Sequence, residues 1–150
     1  MERYQLNKNG EGYTDPTALE GIKRADKGKP NKPKTTEAQE QKTLMQWAKW
    51  QEGRYPELKL LYHCPNGGTR NKLEAANLKR QGVKAGVPDL FLPVPRSPKH
   101  GLFIEMKVGR NKCTDNQKKW IRNLLEQGYE VKVCYSCEEA IQVIKKYLNI

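Results

Sequence analysis

The chain lacks any apolar run long enough to cross a bilayer, any internal repeat and any heptad pattern, which excludes a helical membrane protein, a solenoid and a coiled coil. Its first residues, Met1 to Asn9, are polar with no apolar stretch, so no signal peptide is expected and a cytoplasmic or nuclear setting is. Cysteine is sparse. Cys64, Cys113, Cys134 and Cys137 are the four present, and in a reducing compartment they are expected as free thiols. Cys134 and Cys137 have the spacing of half a zinc site, but no second close pair completes it. The other reading makes them small buried apolar residues, since one falls in a strand-like run and its neighbour at a helix start. Acidic residues are also short: 17 against 28 Lys and Arg, a net charge of +11 and a pI near 9.5. Such an excess favours polyanionic partners, of which nucleic acid is the commonest, although a structural basic protein has the same signature.

An apolar fraction of 36% over 150 residues suits one domain with one core. Residues 1–34 read as a basic arm rich in Lys, Gly, Asn and Pro, with a short helix expected at Pro16 to Arg24. The domain proper is expected over 35–150. A helix is predicted from Glu37 to Gln51, where Thr36 and Gln39 form a capping box and Ala38, Gln41, Leu44, Met45 and Ala48 share one face. A strand is predicted over Lys59 to His63, then a glycine-rich turn from Pro65 to Arg70. Next come a helix over Lys72 to Gln81, capped by Asn71, and two strands, Val87 to Leu92 and Gly101 to Lys107. A three-proline hairpin loop joins the two. A helix over Asp115 to Gln127, with a Thr114–Gln117 capping box and a Gly128 stop, leads to a strand over Tyr129 to Tyr135. The last helix is predicted over Cys137 to Leu148, capped by Ser136. This order implies an α/β fold: a small mixed sheet with helices on its faces.

Two strands carry charges where apolar residues are the rule. Residues two apart on a strand share a face, so Glu105 and Lys107 project together while Ile104 and Met106 point the other way. Asp89, after Pro88, opens the apolar run Leu90-Phe-Leu92. If the two strands pair as a hairpin, Asp89 and Glu105 converge, and converging carboxylates repel unless one is protonated or a cation lies between them. Mg²⁺ suits an oxygen-rich site with open positions for water and phosphate. A metal there would lower the pKa of bound water, and Lys107 would orient the water or stabilise developing negative charge. The plain alternative is a Glu105–Lys107 salt bridge on a solvated strand.

Pro88-Asp89 followed by Glu105-x-Lys107 resembles the PD-(D/E)XK nuclease superfamily. The wider match, Gly82-Val-Lys-Ala-Gly-Val-Pro-Asp89, then Gly101-Leu-Phe-Ile-Glu-Met-Lys107, then Thr114-x-x-Gln117, is similar to a stand-alone VRR-NUC domain of phage and bacterial type, over roughly residues 35–148. The resemblance implies the restriction-endonuclease-like α/β core and a site for Mg²⁺ or Mn²⁺. Its implied metal ligands are Asp89, Glu105, the carbonyl of Met106 and an acid of the first helix, Glu37 or Glu40, of which Glu37 begins the inward stripe. It also implies a catalytic set of Asp89, Glu105, Lys107 and Gln117, although Gln117 doubles as a capping residue.

A phosphate track is expected before the catalytic strands. Asn66, Gly67 and Gly68 permit close backbone approach to phosphate, Arg70 adds a donor fork, and Lys72, Lys79, Arg80 and Lys84 continue a basic surface toward Asp89. A plain turn and a solvated helix face are the alternatives, and His63 is either a base or a structural strand end. The resemblance implies a metal-dependent endonuclease for branched DNA, four-way junctions or flaps, and a symmetric substrate of that kind favours a homodimer. The competing class is a basic module that binds nucleic acid without cutting it. A sequence-specific restriction-type enzyme ranks below both, because the chain leaves little room for a separate reading domain.

Overall fold

The computed structural model describes residues 35–65 and 72–150. The arm with its Pro16–Arg24 helix, the Asn71 cap and the turn residues Asn66, Gly67, Gly68 and Arg70 lie outside the described residues. Helix α1 (Glu37–Gln51) begins at the expected capping box: Thr36 accepts from the Gln39 amide and Gln39 accepts from the Thr36 amide. A 3₁₀ turn (Pro56–Leu60) leads into the two-residue strand β1 (Tyr62–His63), then α2 (Lys72–Arg80), β2 (Leu90–Leu92) and β3 (Leu102–Met106). Helix α3 (Asp115–Glu126), strand β4 (Glu130–Cys134) and helix α4 (Cys137–Leu148) complete the domain. The sheet order is β1-β2-β3-β4; β2 runs antiparallel to both β1 and β3, and β4 runs parallel to β3 after the α3 crossover.

The expected strand over Lys59 to His63 is corrected. Pro56 fixes its own φ at the start of a 3₁₀ turn, and Leu58 and Leu61, three residues apart, are the ones buried. A period of three cannot sit as a strand, so only Tyr62 and His63 pair with Phe91 and Leu90. The β2 strand also starts later than expected, at Leu90, leaving Pro88 and Asp89 ahead of the ladder. The other elements end within a residue or so of expectation.

Both faces of β3 are covered, so all five of its residues are buried. Leu102, Ile104 and Met106 enter a core with Leu44 and Ala48 of α1 and with Ala140, Ile144 and Leu148 of α4. Cys134 and Cys137 lie in that core as free thiols, and burial pushes them up to about 12 and about 11, so they behave there as small apolar residues. Phe103 faces the other way, into a second cluster with Val131 and Ile121 of α3. Phe91 stacks on Phe103 with ring centroids 4.0 Å apart, extending that layer toward β1. No described helix is long and apolar enough to cross a membrane.

Candidate active site

Asp89 and Glu105 face each other because of strand register. Leu90 pairs with Ile104, and the next step outward sets Asp89 opposite Glu105. The Met106 amide donates to Asp89 Oδ2 at 2.8 Å, which fixes the carboxylate at the strand end. The Asp89 carbonyl accepts from the Cys64 amide and lies 2.8 Å from His63 Nδ1, so β1 holds the same residue from its other side. His63 thus contacts the Asp89 backbone from β1.

Glu105 lies on the Phe103 face of β3, beneath α3, and is fully buried. Its Oε1 accepts from Lys107 Nζ at 2.6 Å and from Gln117 Nε2. Its Oε2 is buried with no hydrogen-bond partner among the described residues. Burial pushes the Glu105 carboxyl up to about 7; the neighbouring Asp89 and Glu37 charges add to this, and the Lys107 contact opposes it. Burial would lower Lys107, but its bond to Glu105 and the charges of Glu105, Glu37 and Asp89 outweigh it, and the ammonium ends above the ordinary lysine value. Lys107 is therefore placed as a hydrogen-bond donor to Glu105 and as the positive charge among these acids.

The first-helix acid is distinguished by geometry. Glu37 Oε2 lies 3.7 Å from Lys107 Nζ, and Asn111 Nδ2 donates to Glu37 Oε1 at 2.9 Å. Glu40 turns elsewhere and accepts from the Cys137 amide at 2.7 Å, capping the N-terminus of α4. Gln117 serves two purposes at once. Its Oε1 accepts from the Thr114 amide in the α3 capping box, while its Nε2 reaches Glu105. The capping and site readings of Gln117 therefore coexist.

The basic track is brought together only in part. Lys79, Arg80 and Lys84 are exposed, and Arg80 donates to Asn77 on its own helix. The side chain of Lys72 lies outside the described residues. Asn111 is the site neighbour that sequence reasoning missed. It sits in the turn after β3, where Gly109 has φ +59°, and nothing in its local pattern points toward Glu37.

Three oxygens surround the Lys107 ammonium: Glu105 Oε1, the Met106 carbonyl at 3.1 Å and Glu37 Oε2. The donor set is thus all oxygen and already holds a positive charge. Among the described residues no three His, Cys, Asp or Glu side chains form a ready-made metal cage. A hard cation that keeps several waters needs no such cage, and the unpartnered Glu105 Oε2 is the kind of buried atom it would satisfy. The residues fit Mg²⁺ or Mn²⁺.

Residues 29–138 match the VRR-NUC domain family. A solved structure named as a VRR_NUC domain protein superposes with a TM-score of 0.66 at 36% identity, covering 77% of this chain and 90% of that one. No curated protein matches the chain. On the extent of the family match and the 36% identity to that structure, the chain belongs to the VRR-NUC domain family of nucleases.

Proposed function

We propose that this nuclease-family chain is a Mg²⁺- or Mn²⁺-dependent DNA endonuclease that hydrolyses phosphodiester bonds in branched DNA, such as four-way junctions or flaps. The observation that carries the reading is the fully buried Glu105, with one carboxylate oxygen unpartnered among the described residues, beside Asp89 and Lys107. A buried carboxylate left half-satisfied costs stability, and a cation-binding role accounts for keeping it.

Asp89, Glu105 and the Met106 carbonyl would hold the metal, with Glu37 in support. The metal would polarise a phosphate oxygen and lower the pKa of bound water. Lys107, an ammonium throughout the working pH range, donates to the attacking water or the non-bridging phosphate oxygens as negative charge develops. Water oxygen bonds to phosphorus as a water proton passes to solvent, the phosphorus–oxygen bond to the leaving alcohol breaks, and that alcohol takes up a proton from solvent. Gln117 holds Glu105 in its rotamer through the reaction.

The net charge of +11 supplies the long-range attraction to DNA. The turn at Asn66, Gly67, Gly68 and Arg70, with Lys72, Lys79, Arg80 and Lys84, would line the substrate backbone. A symmetric junction favours a symmetric enzyme, so the working form is proposed as a homodimer, acting in the cytoplasm. Labelled duplex, single-strand, flap and four-way junction DNA, incubated with Mg²⁺ or Mn²⁺, test the reading. Paired incisions near the branch point support it. Salt-dependent binding to every form with no cutting would replace it with the non-cleaving binding module.

A further inference from the structure

The loop before Asp89 and helix α3 enclose a groove of about 330 Å³, lined by Lys84, Ala85, Asn116, Lys119, Trp120 and Asn123. The four helical residues recur at three- and four-residue spacing, so they form one face of α3. That face is distinct from the one carrying Ile121, Leu124 and Leu125 into the sheet cluster. Two contacts hold the walls together. Trp120 Nε1 donates to the Ala85 carbonyl at 3.1 Å, and Gly86, at φ +87°, passes so close to α3 that a Cβ would lie 2.8 Å from the Asn116 carbonyl carbon. The groove is therefore preformed.

Its chemistry is one-sided. Lys84 and Lys119 contribute two ammonium groups, and among the described residues no acidic side chain lines it and neither lysine has an ion pair. Lys118, beside them, is instead paired with Asp115 at 2.9 Å. The Trp120 N–H is already taken, so its ring offers an apolar surface and the two asparagine amides offer hydrogen bonds. Two cations, two amides and a ring face fit a sugar–phosphate unit. Both walls also run straight into the site: Asn116 precedes Gln117, and the loop continues through Val87 and Pro88 to Asp89.

Resting on the nuclease reading above, we propose that this groove binds a phosphodiester segment of the DNA flanking the cut, with Lys119 on α3 and Lys84 on the loop as the phosphate contacts. Lys84 alone continues the track from α2; the α3 wall gives the DNA a second bank. Anisotropy of a labelled four-way junction in EDTA, titrated between about 50 and 200 mM salt, tests it without any chemistry. Lys119→Ala and Lys84→Ala should each weaken binding about 3- to 10-fold and lower the slope of log K against log salt by about one. Lys146→Ala makes the same charge change on α4, across the sheet, and should leave the slope at the wild-type value. Slopes for the two groove variants that match Lys146→Ala overturn the proposal. Parallel cleavage assays keep the two readings apart. Wild-type cutting with lysine-independent binding removes the groove alone, whereas lysine-dependent binding without cutting keeps the groove and removes the nuclease.

Discussion

Replacing Gly86 by alanine tests how the loop before Asp89 is seated on α3. Gly86 has φ +87°, and a Cβ there would lie 2.8 Å from Asn116 C, 2.9 Å from Asn116 Cβ and 3.0 Å from the Gln117 amide nitrogen. Gly82, seven residues before Asp89, has φ +97° but nothing within 4 Å of its Cβ. Both alanines meet the conformational penalty of positive φ, about 1–2 kcal/mol. Only Gly86→Ala adds overpacking, about 1–3 kcal/mol, because backbone atoms of α3 must move. Urea unfolding with equal m-values should therefore show Gly86→Ala less stable than Gly82→Ala by about 1–3 kcal/mol. The displaced turn carries Gln117, so cleavage by Gly86→Ala should also fall in conditions where it remains folded. Equal stabilities for the two variants, or a less stable Gly82→Ala, would refute the close approach of loop and helix.

Three further outcomes are expected. With Glu105 moved from 4.5 unfolded to about 7 folded, the native state binds the extra proton. Metal-free stability is then greatest below about pH 4.5 as far as this group is concerned, and about 3 kcal/mol is lost as pH rises to about 7. Unfolding curves across that window should slope downward for the wild type and flatten in Glu105→Gln; parallel curves would count against the buried charge. Asn111→Ala should raise the Mg²⁺ concentration for half-maximal cleavage several-fold while changing stability by about 0.5 kcal/mol or less, as titrations and urea melts would show. Glu40→Ala should cost about 1–2 kcal/mol through the lost α4 cap and leave cleavage per folded molecule unchanged, whereas Glu37→Gln should do the reverse.

What the sequence reveals and what it conceals follow from the range of the interactions. Helices α1, α3 and α4 are legible because their signals are local: a Thr or Ser cap, a partner three residues on, and one apolar face. Glu105 and Lys107 share a face by strand alternation alone. The segment from Pro56 misleads because Leu58, Leu60 and Leu61 look like a strand edge, while burial selects the three-residue spacing of a 3₁₀ turn. The contacts that distinguish Glu37 from Glu40 span 74 and 97 residues, from Asn111 and Cys137, and no local pattern records them. The groove at Trp120 is concealed for the same reason: its wall comes from Ala85, 35 residues away.

The central claim is that Asp89, Glu105 and Lys107 form a metal-dependent cutting site. It is tested most directly by cleavage of a labelled four-way junction in Mg²⁺ or Mn²⁺ by the wild type and by Asp89→Asn, Glu105→Gln and Lys107→Met, with folding checked for each. The wild type should cut in a manner that EDTA abolishes, and each variant should lose on the order of 100-fold or more with junction binding retained. Variants that cut at the wild-type rate, or wild-type cutting that persists in EDTA, would contradict it.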